Sequence, residues 1–225
     1  DFVRHLRIRP QLLKAILKVG VPTGVQMIVV ALAELVLLGL VNGFGSHATA
    51  AYGAVNQVVA YVQFPAISIA ITASILGAQA IGAGRVDRLG AITRTALMMN
   101  LVLTGSLVLL GYLFSRPLMG WFITDPAVID VAQQLLHIML WSLVIFGMAS
   151  ALSGIMRASG TVLVPTAISI FCVLCVSVPV GWFMSQRIGL SGVWVAYPAS
   201  FGSMLLLQAA YYRFVWRKKA IRRLV

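Results

Sequence analysis

Charged residues are missing from most of this chain, and their absence limits what it can become. Between Lys18 and Arg85 there is one formal charge, Glu34. Residues 95–115, 131–156, 158–186 and 188–212 hold none apart from neutral His137. A helix crossing the hydrocarbon core of a bilayer needs roughly 20 apolar residues. The stretch 19–84 is long enough for two such helices, with a turn supplied by 42–53 (NGFGSHATAAYG), and each of the other windows holds one. The expected fold is therefore an all-α membrane protein with six transmembrane helices, near 20–42, 54–80, 92–114, 131–153, 162–184 and 190–212. Charged residues make up 10% of the 225 and hydrophobic ones 60%, against about 25% charged in a soluble domain. That excludes a soluble globular domain as well as a disordered chain.

The net charge of +12 would ordinarily suggest nucleic acid, but its placement argues for a membrane. Fifteen Lys and Arg fall on one side of the six spans and two, Arg116 and Arg187, on the other. By the positive-inside rule both termini are cytoplasmic and the protein is a multi-pass component of the cell inner (plasma) membrane. The basic residues then form a collar facing anionic headgroups, with no nucleic-acid partner. Three segments are expected: a cytoplasmic amphipathic lead-in over 1–19, the six-helix body over 20–212, and a basic tail over 213–225. Leu12, Leu13, Ile16 and Leu17 form the apolar face of the lead-in, opposite Lys14 and Lys18. No cleavable signal pattern is expected at the start. Trp121, Trp182 and Trp216 lie near span ends, as an aromatic belt requires. Cys172 and Cys175 lie in an apolar run, so neither a disulfide framework nor a metal site is expected. The glycine runs after the second and fourth spans lack a phosphate-cradle pattern and read as tight turns.

Polar groups at membrane depth carry the functional signal, because burying them there costs roughly 2.5–3.5 kcal/mol per charge. Glu34 lies about fifteen residues into the first span. It reads either as a carboxylate in an aqueous cavity, binding a proton, a sodium ion or a cationic substrate, or as a protonated group at a helix seam. On the second span Gln57, Tyr61, Ser68, Thr72 and Gln79 share a face, either a cavity wall or a polar seam. Pro65 removes a hydrogen bond from that helix and marks a kink. On the fourth span Gln134, His137 and Trp141 share a face. Trp141 and Phe146 offer aromatic surfaces for a flat cation, and His137 either titrates in a cavity or packs. Asp125 and Asp130 read as cap or loop residues at the outer mouth. Under sodium coupling, Gln57 or Gln63 would add carbonyl oxygens to Glu34.

Six motifs follow one another along the chain: VGVPTGVQ through Gln26, FGSHATAAYGAVNQV, FPAISIAITASILGAQAIGAGRVDR, WFITDPAVID, SGIMRASGTVLVP and GLSGVWVAYP. In this order and spacing the chain resembles the C-terminal six-helix half of a multidrug and toxic compound extrusion (MATE) transporter. The resemblance implies an antiporter that exports organic cations or amphiphilic drugs against a proton or sodium gradient, with no other cofactor and no enzymatic activity. It implies two six-helix lobes around a cleft. The second lobe would come from missing N-terminal sequence or a second chain. Several subfamilies place a coupling acid eight residues after the proline of the first helix of this lobe. That position is Val30 here, and the resemblance extends the role to Glu34, one turn further on a similar face. Gln26, Gln57, Tyr61, Gln63, His137 and Trp141 are the candidate cleft residues. A lipid-linked sugar flippase of similar architecture would need a basic cavity, and apart from Arg94 at the very start of the third, no Lys or Arg falls within the expected spans. A non-transporting membrane subunit is the other alternative.

Overall fold

Short turns built on glycine reverse the chain between long helices. A computed structural model describes residues 10–218. Helix α1 (Pro10–Asn42) is followed by a three-residue turn in which Gly45 adopts φ +97°, a backbone state that side chains disfavour. The Thr49 hydroxyl donates to Asn42 Oδ1 at 2.8 Å and ties the turn shut. α2 (Ser46–Gly82) ends at Gly84, φ +74°, and a 3-10 turn (Val86–Arg88) leads into α3 (Leu89–Leu113). The short α4 (Ser115–Gly120) buries Ser115 and Met119. The Asp125 carboxylate then accepts from the Ala127 N–H at 2.9 Å and caps α5 (Pro126–Ala158), with proline in its first turn. Gly160, φ +76°, stops α5. α6 (Leu163–Cys172) passes through a π turn (Val173–Ser177) into α7 (Val178–Ile188), and Gly189, φ +68°, turns the chain into α8 (Leu190–Phe214).

Six helical stretches among the described residues are long and apolar enough to cross a membrane: Ile16–Asn42, Ser46–Gly82, Val86–Leu113, Pro126–Ala158, Leu163–Ile188 and Leu190–Lys218. The six expected spans are all present, with longer boundaries. The interhelical turn expected over 42–53 shrinks to three residues, because the alanine-rich run after Ser46 is helical. Residues 10–19 continue straight into the first span, so no break separates a lead-in helix from it; residues 1–9 and 219–225 lie outside the described part.

α5 is the axis of the bundle. Leu135, Leu136, Met139, Leu140, Leu143, Ile155 and Met156 are all at most 1% exposed, the mark of a helix with most of its surface packed against neighbours. α2, α3 and α8 surround it, and α1 lies outermost, against α2 and the α6–α7–α8 side. Small residues let the backbones close. A methyl on Gly154 would strike the Ala70 carbonyl, and one on Gly77 would lie 2.9 Å from Ala158 Cβ. Buried Asn100 fills the hollow left by Gly147, donates to the Val144 carbonyl at 3.1 Å and accepts from Thr104. The outer surface is apolar: Met27, Val102, Leu113 and Leu206 are each more than 60% exposed, a surface suited to lipid.

Candidate functional site

Glu34 lies on the exposed flank of α1. Its neighbours Ala33, Leu37 and Val41 form the stripe that α1 buries, and Leu37 reaches the hollow at Gly181 on α7. Behind this stripe stand two tyrosines. The hydroxyls of Tyr52 on α2 and Tyr197 on α8 meet at 3.0 Å, and Glu34 is within electrostatic range of Tyr197. The Trp194 ring lies against both, with centroids 5.1 Å from Tyr52 and 6.0 Å from Tyr197. Its indole N–H is buried and has no partner. Glu34 is thus reached from outside the lobe, whereas the two phenols are fixed in the core behind the buried stripe and bond each other. No cluster of three or more His, Cys, Asp or Glu side chains forms among the described residues.

Gln26, two turns before Glu34 on α1, accepts from Arg157 Nη2 at 2.6 Å. This corrects the expectation that, Arg94 apart, no basic residue falls within a span. Arg157 is in the last turn of α5 and lines a half-open pocket of about 440 Å³ between α1, α2, α5, α6 and α8. The helix runs on to Ala158 because Gly160 stops it there. A glycine just past the end and a basic residue in the last turn are helix C-terminal signals the sequence already carried.

The remaining candidates do not converge. Gln57 lines an outer hollow of about 550 Å³ with Phe122, Asp125 and Val128. Tyr61 is 58% exposed on the outward face of α2, with Gln57, Ser68, Thr72 and Gln79 exposed beside it. Ser68 and Thr72 line a groove of about 580 Å³ between α2 and α3, together with Pro65. α2 remains one helix through Pro65. Gln63 is half-buried, on the strip of α2 that continues through Ile67 and Ser74 into the pocket beside Arg157. His137 turns to α3: its ring lies 5.0 Å from Tyr112, whose hydroxyl donates to the His137 carbonyl at 2.8 Å. Trp141 is 48% exposed on a strip of α5 that leads, at Met148, into the groove between α3 and α8. The α2 and α5 polar faces therefore open on opposite flanks of α3. Phe146 packs in a tilted arrangement against Phe201, with centroids 5.0 Å apart, and lines the pocket beside Arg157.

Two further expectations change. Asp130 pairs with Arg116 at 3.0 Å within the first turns of α5, and so lies in the helix rather than a loop. Trp216 is not a belt residue. It is 2% exposed, stacks on Tyr212 at 5.1 Å and donates to Ser159 Oγ at 2.9 Å, which pins the end of α8 to the α5–α6 turn. Trp121 and Trp182 are exposed at 78% and 54%.

Comparison with known proteins agrees with this architecture. A family model described as MatE matches residues 22–183. The chain is 47% identical over 224 residues to the probable multidrug resistance protein YoeA of Bacillus subtilis, covering 99% of this chain and 48% of that protein. A mutant of the Vibrio cholerae MATE transporter VcmN superposes with a TM-score of 0.88 at 18% identity, over 97% of this chain and 50% of that one. A MOP superfamily transporter from Pyrococcus furiosus gives 0.85 at 21% identity, over 98% and 48%. The chain spans about half the length of the curated relatives it matches. By sequence and by fold, this six-helix membrane protein belongs to the MatE family of transporters, not to an enzyme family.

Proposed function

We propose that the chain is one lobe of a multidrug exporter, completed by a second six-helix lobe from the same polypeptide or another chain. In this reading the basic end faces the cytoplasm, and organic cations leave in exchange for protons or sodium ions. The observation that carries it is Glu34, the sole acidic residue in the interior of any described span, set before the Tyr52–Tyr197 hydroxyl pair. Proton and cation compete for one carboxylate, so each binds where the other has left. A sodium ion would take further oxygens from neutral groups, since no second carboxylate lies in the interior of a described span. The outward polar strip of α2 supplies the wall along which substrate moves.

Glu34→Gln keeps the shape and removes the charge. In the complete two-lobed transporter it abolishes gradient-driven efflux of an aromatic cation from loaded vesicles, while the protein still reaches the membrane at normal levels. Undiminished efflux by that variant would assign coupling to the other lobe.

A further inference from the structure

The half-open pocket between α1, α2, α5, α6 and α8 holds a positive charge that no acidic side chain among the described residues pairs with. Arg157 lines it, and Gln26, its hydrogen-bond partner, is neutral. The Arg157 Nε is buried and unpaired. The one ion pair among the described residues, Arg116–Asp130, lies at the other end of α5. Glu34 is two helical turns from Gln26 along α1, roughly 12 Å. A guanidinium withdrawn from water without a counter-ion is costly. The same cavity contains two more unsatisfied atoms on side chains at least nine-tenths buried. Ser153 Oγ and Gln208 Oε1 have no partners, and Gln208 is 1% exposed. Gln208 Nε2 approaches Ser169 Oγ at 3.4 Å, whose hydroxyl is spent on the Pro165 carbonyl. Donors at Arg157 and Ser153 face one acceptor at Gln208, the demand of an oxyanion that also carries a hydroxyl or a bridging water.

The mouth of the cavity has a different character. Met27, Ile71 and Ile75 line it and are 71%, 55% and 52% exposed. They flank an opening between α1 and α2. We propose that this cavity is an oxyanion site, held by Arg157, for the phosphate of an anionic amphiphile whose apolar chain lies along Met27, Ile71 and Ile75. The inference is independent of the coupling role given to Glu34.

The test uses the complete transporter, purified in a non-ionic detergent and offered phosphatidylglycerol or phosphatidylcholine in mixed micelles, or inorganic phosphate alone. Bound lipid is counted by mass spectrometry after washing, and thermal unfolding is followed in parallel. Phosphatidylglycerol is retained and raises the unfolding temperature, whereas phosphatidylcholine is not retained. Arg157→Gln cuts retention about tenfold or more, as expected for loss of a charge-assisted contact. Thr23→Phe, which fills the cavity from the outermost helix and leaves the arginine in place, has the same effect. Arg85→Gln, which removes an equal charge from the exposed turn after α2, leaves retention unchanged. Stabilisation by inorganic phosphate alone, lost in Arg157→Gln, would identify the free anion as the occupant of the same site. Equal retention by the parent and both cavity variants, with no effect of phosphate, overturns the proposal.

Discussion

A single methyl group distinguishes the glycines of this lobe. At Gly154 the added carbon would strike the Ala70 carbonyl, a backbone atom of α2 that cannot rotate away. At Gly20 nothing lies within 4 Å. Gly154→Ala is expected to destabilise the lobe by about 3 kcal/mol through overpacking. Gly20→Ala should be neutral or stabilising, since alanine is the better helix former by up to about 1 kcal/mol. Thermal unfolding of both variants in detergent checks this, and equal melting temperatures would deny the close α2–α5 contact. Residue by residue, legibility in the sequence tracked charge rather than polarity. Glu34 stood out because no other formal charge lies within fifteen residues on either side. Asn100 did not, because an uncharged amide in the run 95–115 leaves hydropathy almost unchanged, yet it joins α3 to α5. The orientation of His137 toward Tyr112 depends on how α3 and α5 are rotated, which periodicity within one helix does not specify.

Among the helices, α2 carries the plainest division of faces. Its inward residues Val55, Val58, Val59, Val62 and Ala66 are buried, while Gln57, Tyr61, Ser68 and Thr72 point outward. A polar strip on a lipid-facing surface would be unfavourable, so its exposure in this lobe argues for an aqueous cleft against the second lobe. Ser68→Cys and Thr72→Cys in the complete transporter are therefore expected to react with a water-soluble maleimide, and an aromatic cation should slow the reaction. Val102→Cys, on the apolar outer face of α3, should stay unreactive. Labelling of the α3 position alone would place the cleft elsewhere. The spacing of Gln57, Tyr61, Ser68 and Thr72 made this strip legible in advance. Its separation from the α5 strip was not, because α3 comes between them only once the bundle closes. Helix ends were the least legible. Chain composition marks where lipid begins, whereas α2 and α5 continue past it for 37 and 33 residues in all, beyond the roughly 20 that a bilayer demands.

For the whole molecule, charge is segregated between the two ends of the bundle. Among the described residues, Lys14, Lys18, Arg85, Arg88, Arg94, Arg157, Arg213, Arg217 and Lys218 gather at one end, and Arg116 and Arg187 occupy the other. Contacts between Tyr212 and Thr93, and between Trp216 and Ser159, confirm that the first set shares an end of the bundle. With Cys175 replaced by serine to remove an exposed thiol, Arg187→Cys should be modified in intact cells by an impermeant reagent, and Arg85→Cys only after the membrane is opened. Modification of the Arg85 position in intact cells would invert the topology.

The outermost position of α1 has a consequence for how the protein is made. Within this lobe α1 is synthesised before the other helices, but much of the surface it docks on, Gly181 on α7 and the neighbouring Ala196 on α8, is made about 145–160 residues after Leu37. At 5–20 residues per second that is a wait of roughly 10–30 s. Through that interval the helix bearing Glu34 must rest in the bilayer without the α7 and α8 surfaces it later packs against. Protonation is the cheapest way for it to remain there, so the group assigned to ion exchange in the finished lobe would first have to be neutral for the lobe to be assembled at all.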